Sequence, residues 1–161
     1  MRTTNIRKIT ISAMLMALLI IFGRVFLIPI PWTHGNVNLC DAAVFLASLL
    51  FGKWYGGTVG GFGALLLDLI SGYANFAPFS FLAHGLEGFL AGWLYTRTHN
   101  RFLALGVGIV VMVAVYVVAN GVLYTWVAGI LGIGTDLLQG IIGAVVAALV
   151  YQPLKRWGNN E

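Results

Sequence analysis

The sequence predicts an all-α membrane protein: a single transmembrane domain, residues 1–161, built as a bundle of six transmembrane helices. Hydrophobic residues make up 60% of the chain and charged residues only 9%, whereas a soluble domain carries roughly 25% charged residues. The apolar residues form runs that approach the length of a membrane-spanning helix. Most basic residues lie near the ends of these runs. The surface of such a chain must therefore face lipid rather than water.

Each predicted helix is bounded by residues that end helices or carry charge. Pro29 and Pro31 stop the first helix, because proline lacks the backbone donor that a helix needs. Gly72 closes the third helix, and a polar stretch, residues 96–101, ends the fourth. The apolar run that follows is long enough for one helix and a glycine-bearing loop, residues 127–134. The predicted helices cover residues 9–28, 42–51, 54–71, 79–95, 102–126 and 135–154.

The short second run decides how often the chain crosses the membrane. If it crosses, with the N- and C-termini both cytoplasmic, eight of the nine basic residues lie inside, as the positive-inside rule requires. If it does not cross, Arg97 and Arg101 move outside together with Lys155 and Arg156. We therefore predict six crossings, with a modest mismatch cost for the short helix. The inner basic residues are then Arg2, Arg7, Lys8, Lys53, Arg97, Arg101, Lys155 and Arg156.

Small residues recur four positions apart within the predicted helices. Residues at this spacing share one helix face, and small side chains let a second helix approach closely. We interpret the glycine pairs as internal packing of the bundle. The pairs are Gly56 with Gly60, Gly57 with Gly61, Gly88 with Gly92, and Ala13 with Ala17.

The fourth, fifth and sixth predicted helices each carry two polar residues on one face, at similar depth in the outer half of the membrane. The pairs are His84 with Glu87, Asn120 with Tyr124, and Asp136 with Gln139. Because polar groups are costly in hydrocarbon, we predict that they line one shared pocket. The ligand would be hydrogen-bonded by His84, Glu87, Asn120 and Asp136. Its ring would pack against three aromatic residues, Tyr73, Phe76 and Tyr124. In the first outer loop, Asn38 and Asp41 would order the loop as a lid over the ligand. The predicted substrate-binding residues are Asn38, Asp41, Tyr73, Phe76, His84, Glu87, Asn120, Tyr124, Asp136 and Gln139.

Two structural interpretations of these residues stay open. Arg24, near the outer end of the first helix, is a candidate partner for Asp41 or Asp68, in which case the charges simply neutralise each other. Aromatic residues such as Trp32 and Trp126 are also typical of the belt that anchors a membrane protein at the interface.

The sequence points away from an enzyme, a metal site, a cofactor and a nucleic-acid partner. Three histidines and one cysteine, Cys40, are too few and too dispersed for a supported catalytic zinc. No serine of the sequence stands in the G-x-S-x-G motif of a hydrolase. The pair Gly52-Lys53 is followed by Trp54 rather than by the serine or threonine of a phosphate-binding loop. The net charge of +4 comes from scattered residues that form no basic patch. The chain therefore binds substrate for a partner, or conducts it passively.

Several segments resemble the S components of energy-coupling factor (ECF) transporters, the bacterial vitamin importers. The resemblance covers nearly the whole chain and rests on the six predicted helices and on residues 13–17, 37–43, 52–57, 68–73 and 77–79. The last three stretches are most similar to the hydroxymethylpyrimidine or pyridoxine subgroup.

The resemblance implies the substrate-binding subunit of an ATP-dependent vitamin importer in the bacterial cell membrane. Its partners would be a transmembrane coupling subunit and two cytoplasmic ATPase subunits, with Ala13 and Ala17 as the docking face. The outer loops would close over the vitamin, and the subunit would topple in the membrane to release it inside. Two alternatives remain: a self-sufficient channel or facilitator for small solutes, and an intramembrane enzyme.

Overall fold

Six helices and one short hairpin make up residues 2–159, the part of the chain that the computed structural model describes, with side chains described for residues 5–155. The side chains of Arg2 and Arg156, which the charge argument used, lie outside the described set. The all-α fold class is confirmed. The elements are α1 (Arg2–Val25), β1 (Ile28–Ile30), β2 (Gly35–Val37), α2 (Cys40–Phe51), α3 (Lys53–Ser71), α4 (Ala77–Thr98), α5 (Arg101–Leu123) and α6 (Trp126–Asn159).

Three of the described helices are long and apolar enough to cross a membrane. They cover Asn5–Val25, Arg101–Leu123 and Trp126–Lys155. The total of six crossings and the cytoplasmic side of both termini therefore stay predictions.

A two-stranded hairpin follows α1, in a segment for which the sequence indicated only a polar loop. Strand β1 pairs antiparallel with β2, and Ile28 faces Val37 in the register. Helix α1 ends at Val25 rather than at residue 28, because a residue that precedes proline is disfavoured in the helical conformation. Pro29 suits a strand of this kind, since an edge strand tolerates a residue without a backbone donor.

Helices α3 and α4 touch through their glycines. A Cβ atom added at Gly56 would lie 2.6 Å from the carbonyl oxygen of Gly88, and one added at Gly92 would lie 2.5 Å from the nitrogen of Lys53. A Cβ at Gly60 would collide with the carbonyl group of His84. The predicted packing role of these glycines is confirmed. The contact between Gly60 and the His84 backbone sets the position of His84 along α3.

The short helix α2 lies inside the bundle. It has 12 residues and packs against α1, α3, α4 and α6. Val44, Phe45 and Ala47 are fully buried in the core. Because neighbours cover most of its surface, a helix too short to span a bilayer alone is held in place.

Helices α5 and α6 are joined by a much shorter turn than predicted. Residues 127–134 belong to α6, which begins at Trp126, so the predicted loop is wrong. A Cβ added at Gly129 would lie 2.6 Å from the carbonyl oxygen of Val117, so the glycine serves close helix packing rather than a loop. As a result Asp136 lies well inside α6 instead of at its first turn.

Candidate functional site

A narrow cavity of about 30 Å³ lies between the hairpin and the ends of the helices nearest to it. Six of the ten residues predicted to bind substrate line it: Asn38, Phe76, His84, Asn120, Asp136 and Gln139. The hairpin and every helix from α2 to α6 contribute to its wall. The other residues of the lining are Ile30, Thr33, Gly35, Asn36, Cys40, Ala64, Leu67, Asp68, Ser80, Tyr116 and Thr135.

His84 connects the cavity to two buried carboxyl groups behind it. Its Nδ1 lies 2.9 Å from Oδ1 of Asp41 and 2.8 Å from Oε2 of Glu87, and all three side chains are almost completely buried. Neither carboxyl group lines the cavity, although the sequence predicted that Glu87 hydrogen-bonds the ligand and that Asp41 orders the lid over it. Because both acceptors meet the same nitrogen, Nδ1 carries the hydrogen and Nε2 is left on the cavity side.

Asp41 is a residue of α2 rather than of the outer loop, and its partner is His84 rather than arginine. Arg24 is exposed near the end of α1. In the described part of the chain no ion pair joins Arg24 to Asp41 or Asp68. The simple neutralisation that the sequence left open is therefore not the arrangement observed.

On the cavity side, His84 meets residues that sequence reasoning missed. Its Nε2 lies 3.1 Å from the hydroxyl of Tyr116 and 3.7 Å from Sγ of Cys40. The Tyr116 hydroxyl is also 2.8 Å from Oγ of Ser80. Helical spacing contained the missing signal, since Ser80 stands four residues before His84, and Tyr116 four before Asn120.

The segment between β2 and α2 is tied to α6 through Asn38. The backbone nitrogen of Asn38 donates to Oε1 of Gln139 at 2.9 Å. Its side-chain oxygen accepts from the backbone nitrogen of Cys40 at 2.9 Å, and its amide nitrogen donates to Asn36 at 2.8 Å. These bonds connect the hairpin and the segment after it to α6, and the role of Asn38 in a lid stays a prediction.

Three buried oxygen atoms of the cavity wall have no hydrogen-bond partner within the described residues. They are Oδ2 of Asp68, Oδ1 of Asn120 and Oδ2 of Asp136, on α3, α5 and α6. A buried acceptor left without a donor is unfavourable, so it normally meets a water molecule or a ligand. Asp68 was left open as a partner for Arg24 and was not among the predicted substrate-binding residues, yet it belongs to this wall.

Tyr73 and Tyr124 lie outside the cavity, in a second depression next to Phe76. The ring of Tyr124 stacks on His34 with centroids 4.4 Å apart, and Phe76 lies 5.9 Å from Tyr124. Phe76 lines both spaces and separates them. The two tyrosines therefore line this outer depression, here called the vestibule, rather than the wall of the inner cavity.

One buried cluster has the composition of a metal site. Cys40, Asp41 and His84 each offer a ligand atom, and these atoms lie within 4.8 Å of one another. The same atoms already contact each other, because the Cys40 thiol donates to Oδ1 of Asp41 at 3.2 Å and that oxygen also meets His84. Mutual hydrogen bonds account for the arrangement.

The predicted docking residues lie on the exposed side of α1. Ala13 and Ala17 are exposed and border an apolar groove between α1 and α3, whose far wall includes Trp54 and Tyr55. The groove lies on the bundle surface, whereas the cavity is enclosed between the helices.

Comparison with known proteins gives consistent results. The family model described as "ECF-type riboflavin transporter, S component" matches residues 3–156. The "Thiamine precursor transporter HmpT" of Lactococcus lactis subsp. cremoris is 37% identical over 159 residues, which are 98% of this chain and 93% of that protein. An uncharacterized protein of Pyrococcus woesei is 34% identical over 132 residues, 80% of this chain and 88% of its own.

A solved structure has the same fold. The crystal structure of the S-component for biotin from an ECF-type ABC transporter superposes with a TM-score of 0.68. The match covers 94% of this chain and 95% of the other, at 23% sequence identity. At that identity the likeness concerns the fold alone.

Proposed function

This chain belongs to the family of S components of ECF-type transporters, and from that membership we propose that its cavity captures a small heteroaromatic vitamin or vitamin precursor. Members of the family are transporter subunits rather than enzymes. The chain is accordingly a multi-pass membrane protein that works with an ECF transmembrane and ATPase module. The cargo is of the pyridoxine or hydroxymethylpyrimidine type, taken up from the extracellular side.

One observation carries this proposal: polar side chains from separate helices converge on one cavity under the hairpin. His84, Asn120 and Asp136 come from α4, α5 and α6, yet they line the same space. Pockets for small ligands combine apolar walls with a few convergent polar groups in this way. Phe76 supplies an aromatic wall, and Nε2 of His84 supplies a buried polar contact.

The precursor type is the preferred cargo. The relative that is 37% identical over nearly the whole chain is named as a thiamine precursor transporter. Of the two candidate rings, hydroxymethylpyrimidine is the precursor type, so it ranks ahead of pyridoxine. In this proposal Tyr73 and Tyr124 guide the ring through the vestibule, while Asp41 and Glu87 act through His84.

Cargo loading requires the hairpin to move. The cavity is narrow with the hairpin in place, so a ring enters only when the segment around Asn38 lifts away from Gln139. The hydrogen bond between these two residues joins parts of the chain that are far apart in sequence. Its breakage and re-formation would make the hairpin a lid.

Delivery then depends on the partner module. Exposed small residues, Ala13 and Ala17, would let a helix of the transmembrane coupling subunit approach α1 closely. Two cytoplasmic ATPase subunits would supply the energy, since the chain has no phosphate loop of its own. Both termini would lie in the cytoplasm.

The proposal is tested by identifying the cargo. The chain, purified in lipid nanodiscs, is titrated with hydroxymethylpyrimidine and with pyridoxine by calorimetry, and co-purified small molecules are identified by mass spectrometry. Saturable binding of either ring by the isolated chain supports the proposal. Absence of binding, or solute flux through vesicles that contain this chain alone, contradicts it; the second result favours a facilitator.

A further inference from the structure

The cavity wall presents hydrogen-bond acceptors on several sides. Oδ2 of Asp68, Oδ1 of Asn120 and Oδ2 of Asp136 are buried and lack a donor within the described residues. They belong to α3, α5 and α6, so they reach the cavity from different directions. A ligand that satisfies them must carry N–H or O–H groups on more than one edge.

Most donors of the wall are already used. The amide nitrogen of Asn120 donates to the carbonyl oxygen of Tyr116 at 3.0 Å, and that of Asn38 donates to Asn36. The hydroxyl of Thr135 donates to the carbonyl oxygen of Gly132 at 2.8 Å. No lysine or arginine stands among the lining residues in the described part of the chain.

Acidic groups outnumber basic groups around the cavity in the described part of the chain. Asp68 and Asp136 line the cavity, and the carboxyl groups of Asp41 and Glu87 lie directly behind His84. One imidazole faces four carboxyl groups. A phosphate or carboxylate placed here would meet like charge in a poorly solvated space, and the one basic side chain of the described lining, His84, is already paired with two carboxyl groups.

We propose that the cavity selects a neutral or cationic ring with hydrogen-bond donors on at least two edges, and that Asp68 and Asp136 are its specificity-determining residues. This inference rests on the proposed cargo-binding function and deepens it. An exocyclic amino group suits the wall best, because its two N–H groups can donate to acceptors that otherwise stay unpaired. Phosphorylated or carboxylated forms of the same ring are rejected.

The ligand arm of the test uses matched probes on the purified chain in nanodiscs. Calorimetry compares hydroxymethylpyrimidine with its phosphate ester, and with the analogue that has a carbonyl oxygen in place of the amino group. We expect the phosphate ester to bind at least about a hundredfold more weakly, and the carbonyl analogue at least about tenfold more weakly. Pyridoxine and its phosphate ester form a second pair.

The outcomes separate this inference from the proposed function. If the phosphate ester or the carbonyl analogue binds within about threefold of the amino-bearing ring, the inference is wrong while cargo binding stands. If none of these rings binds in any form, both fail.

The residue arm uses Asp68→Asn and Asp136→Asn, which keep the size of the side chain and replace one acceptor oxygen by a donor. Each is expected to lower affinity for the amino-bearing ring about tenfold and to narrow its advantage over the phosphate ester. A purely structural role would weaken all probes equally. Glu161→Gln, at a position outside the described residues, is the control for loss of one acidic charge. Wild-type affinity and wild-type discrimination in both aspartate variants would overturn the assignment.

Discussion

Nδ1 of His84 lies 2.8 Å from Oε2 of Glu87, one helical turn away on α4, and both side chains are buried. A second carboxylate, that of Asp41, meets the same nitrogen from α2 at 2.9 Å. The imidazole is therefore held from behind by two helices. Its orientation toward the cavity depends on residues that the ligand need not touch.

Removal of one of these carboxyl groups should weaken cargo binding indirectly. Glu87→Ala leaves the imidazole of His84 with one partner fewer and opens a void, at a cost of about 1–3 kcal/mol. We expect a loss of cargo affinity of about tenfold or more by calorimetry. Glu87→Gln fills the same space and accepts a hydrogen bond, so its loss should be smaller. Equal affinities for Glu87→Ala and wild type would show that the histidine does not need this support.

The glycine contact between α3 and α4 should be intolerant of a methyl group. Gly60→Ala would push a Cβ atom into the carbonyl group of His84, so we expect a destabilisation of about 1–3 kcal/mol. Gly106→Ala on α5 is the matched control, because a Cβ there meets no atom within 4 Å. Alanine favours the helix over glycine, so the control should be neutral or slightly stabilising. Thermal unfolding followed by tryptophan fluorescence measures both, and indistinguishable midpoints would disprove the packing argument.

The bond between Asn38 and Gln139 should set the residence time of the cargo. Gln139→Ala removes the acceptor that holds the segment after the hairpin, so we expect cargo to dissociate about tenfold faster, with a smaller change in association. Stopped-flow fluorescence gives both rate constants. Gln152→Ala, an exposed position farther along α6, serves as the control. An unchanged dissociation rate in the Gln139 variant would mean that the lid closes without this bond.

Docking to the transmembrane coupling subunit should depend on the small residues of α1. Ala13→Trp fills the face on which a partner helix would lie, and we expect the ECF complex to be lost in co-purification. Cargo binding by the isolated chain should stay unchanged, because the cavity lies elsewhere. Ala114→Trp, at an exposed position of α5, controls for the bulk of the new side chain. Recovery of an intact complex with Ala13→Trp would remove the docking assignment.

Many of the helix boundaries could be predicted because they are set by local residues that end helices. Glycine at positions 52 and 72 separates the helices around α3, and the spacing of the glycines anticipated its contact with α4. The start of α6 could not be predicted in the same way. Gly129 would mark a loop by propensity alone, yet it allows contact with α5, and tertiary packing overrides the local preference.

Only part of the candidate site could be predicted from the sequence. Polar residues inside apolar runs marked His84, Asn120 and Asp136 as facing inward, because lipid excludes them. Which residue of a polar pair borders the cavity was harder to predict. Glu87 and His84 share a helix face, and the sequence does not show that His84 lines the cavity while Glu87 lies behind it. Tyr116 was missed because a tyrosine in an apolar helix is usually assigned to the core or the interface.

The most direct measurement is the cargo affinity of His84→Ala beside that of His99→Ala. His84 lines the cavity, whereas His99 lies at the far end of α4 beside the loop that leads to α5. We expect the His84 variant to lose cargo affinity by a factor of about a hundred and the His99 variant to retain it. If both variants, shown to be folded, bind the cargo as wild type does, the cavity under the hairpin is not the binding site.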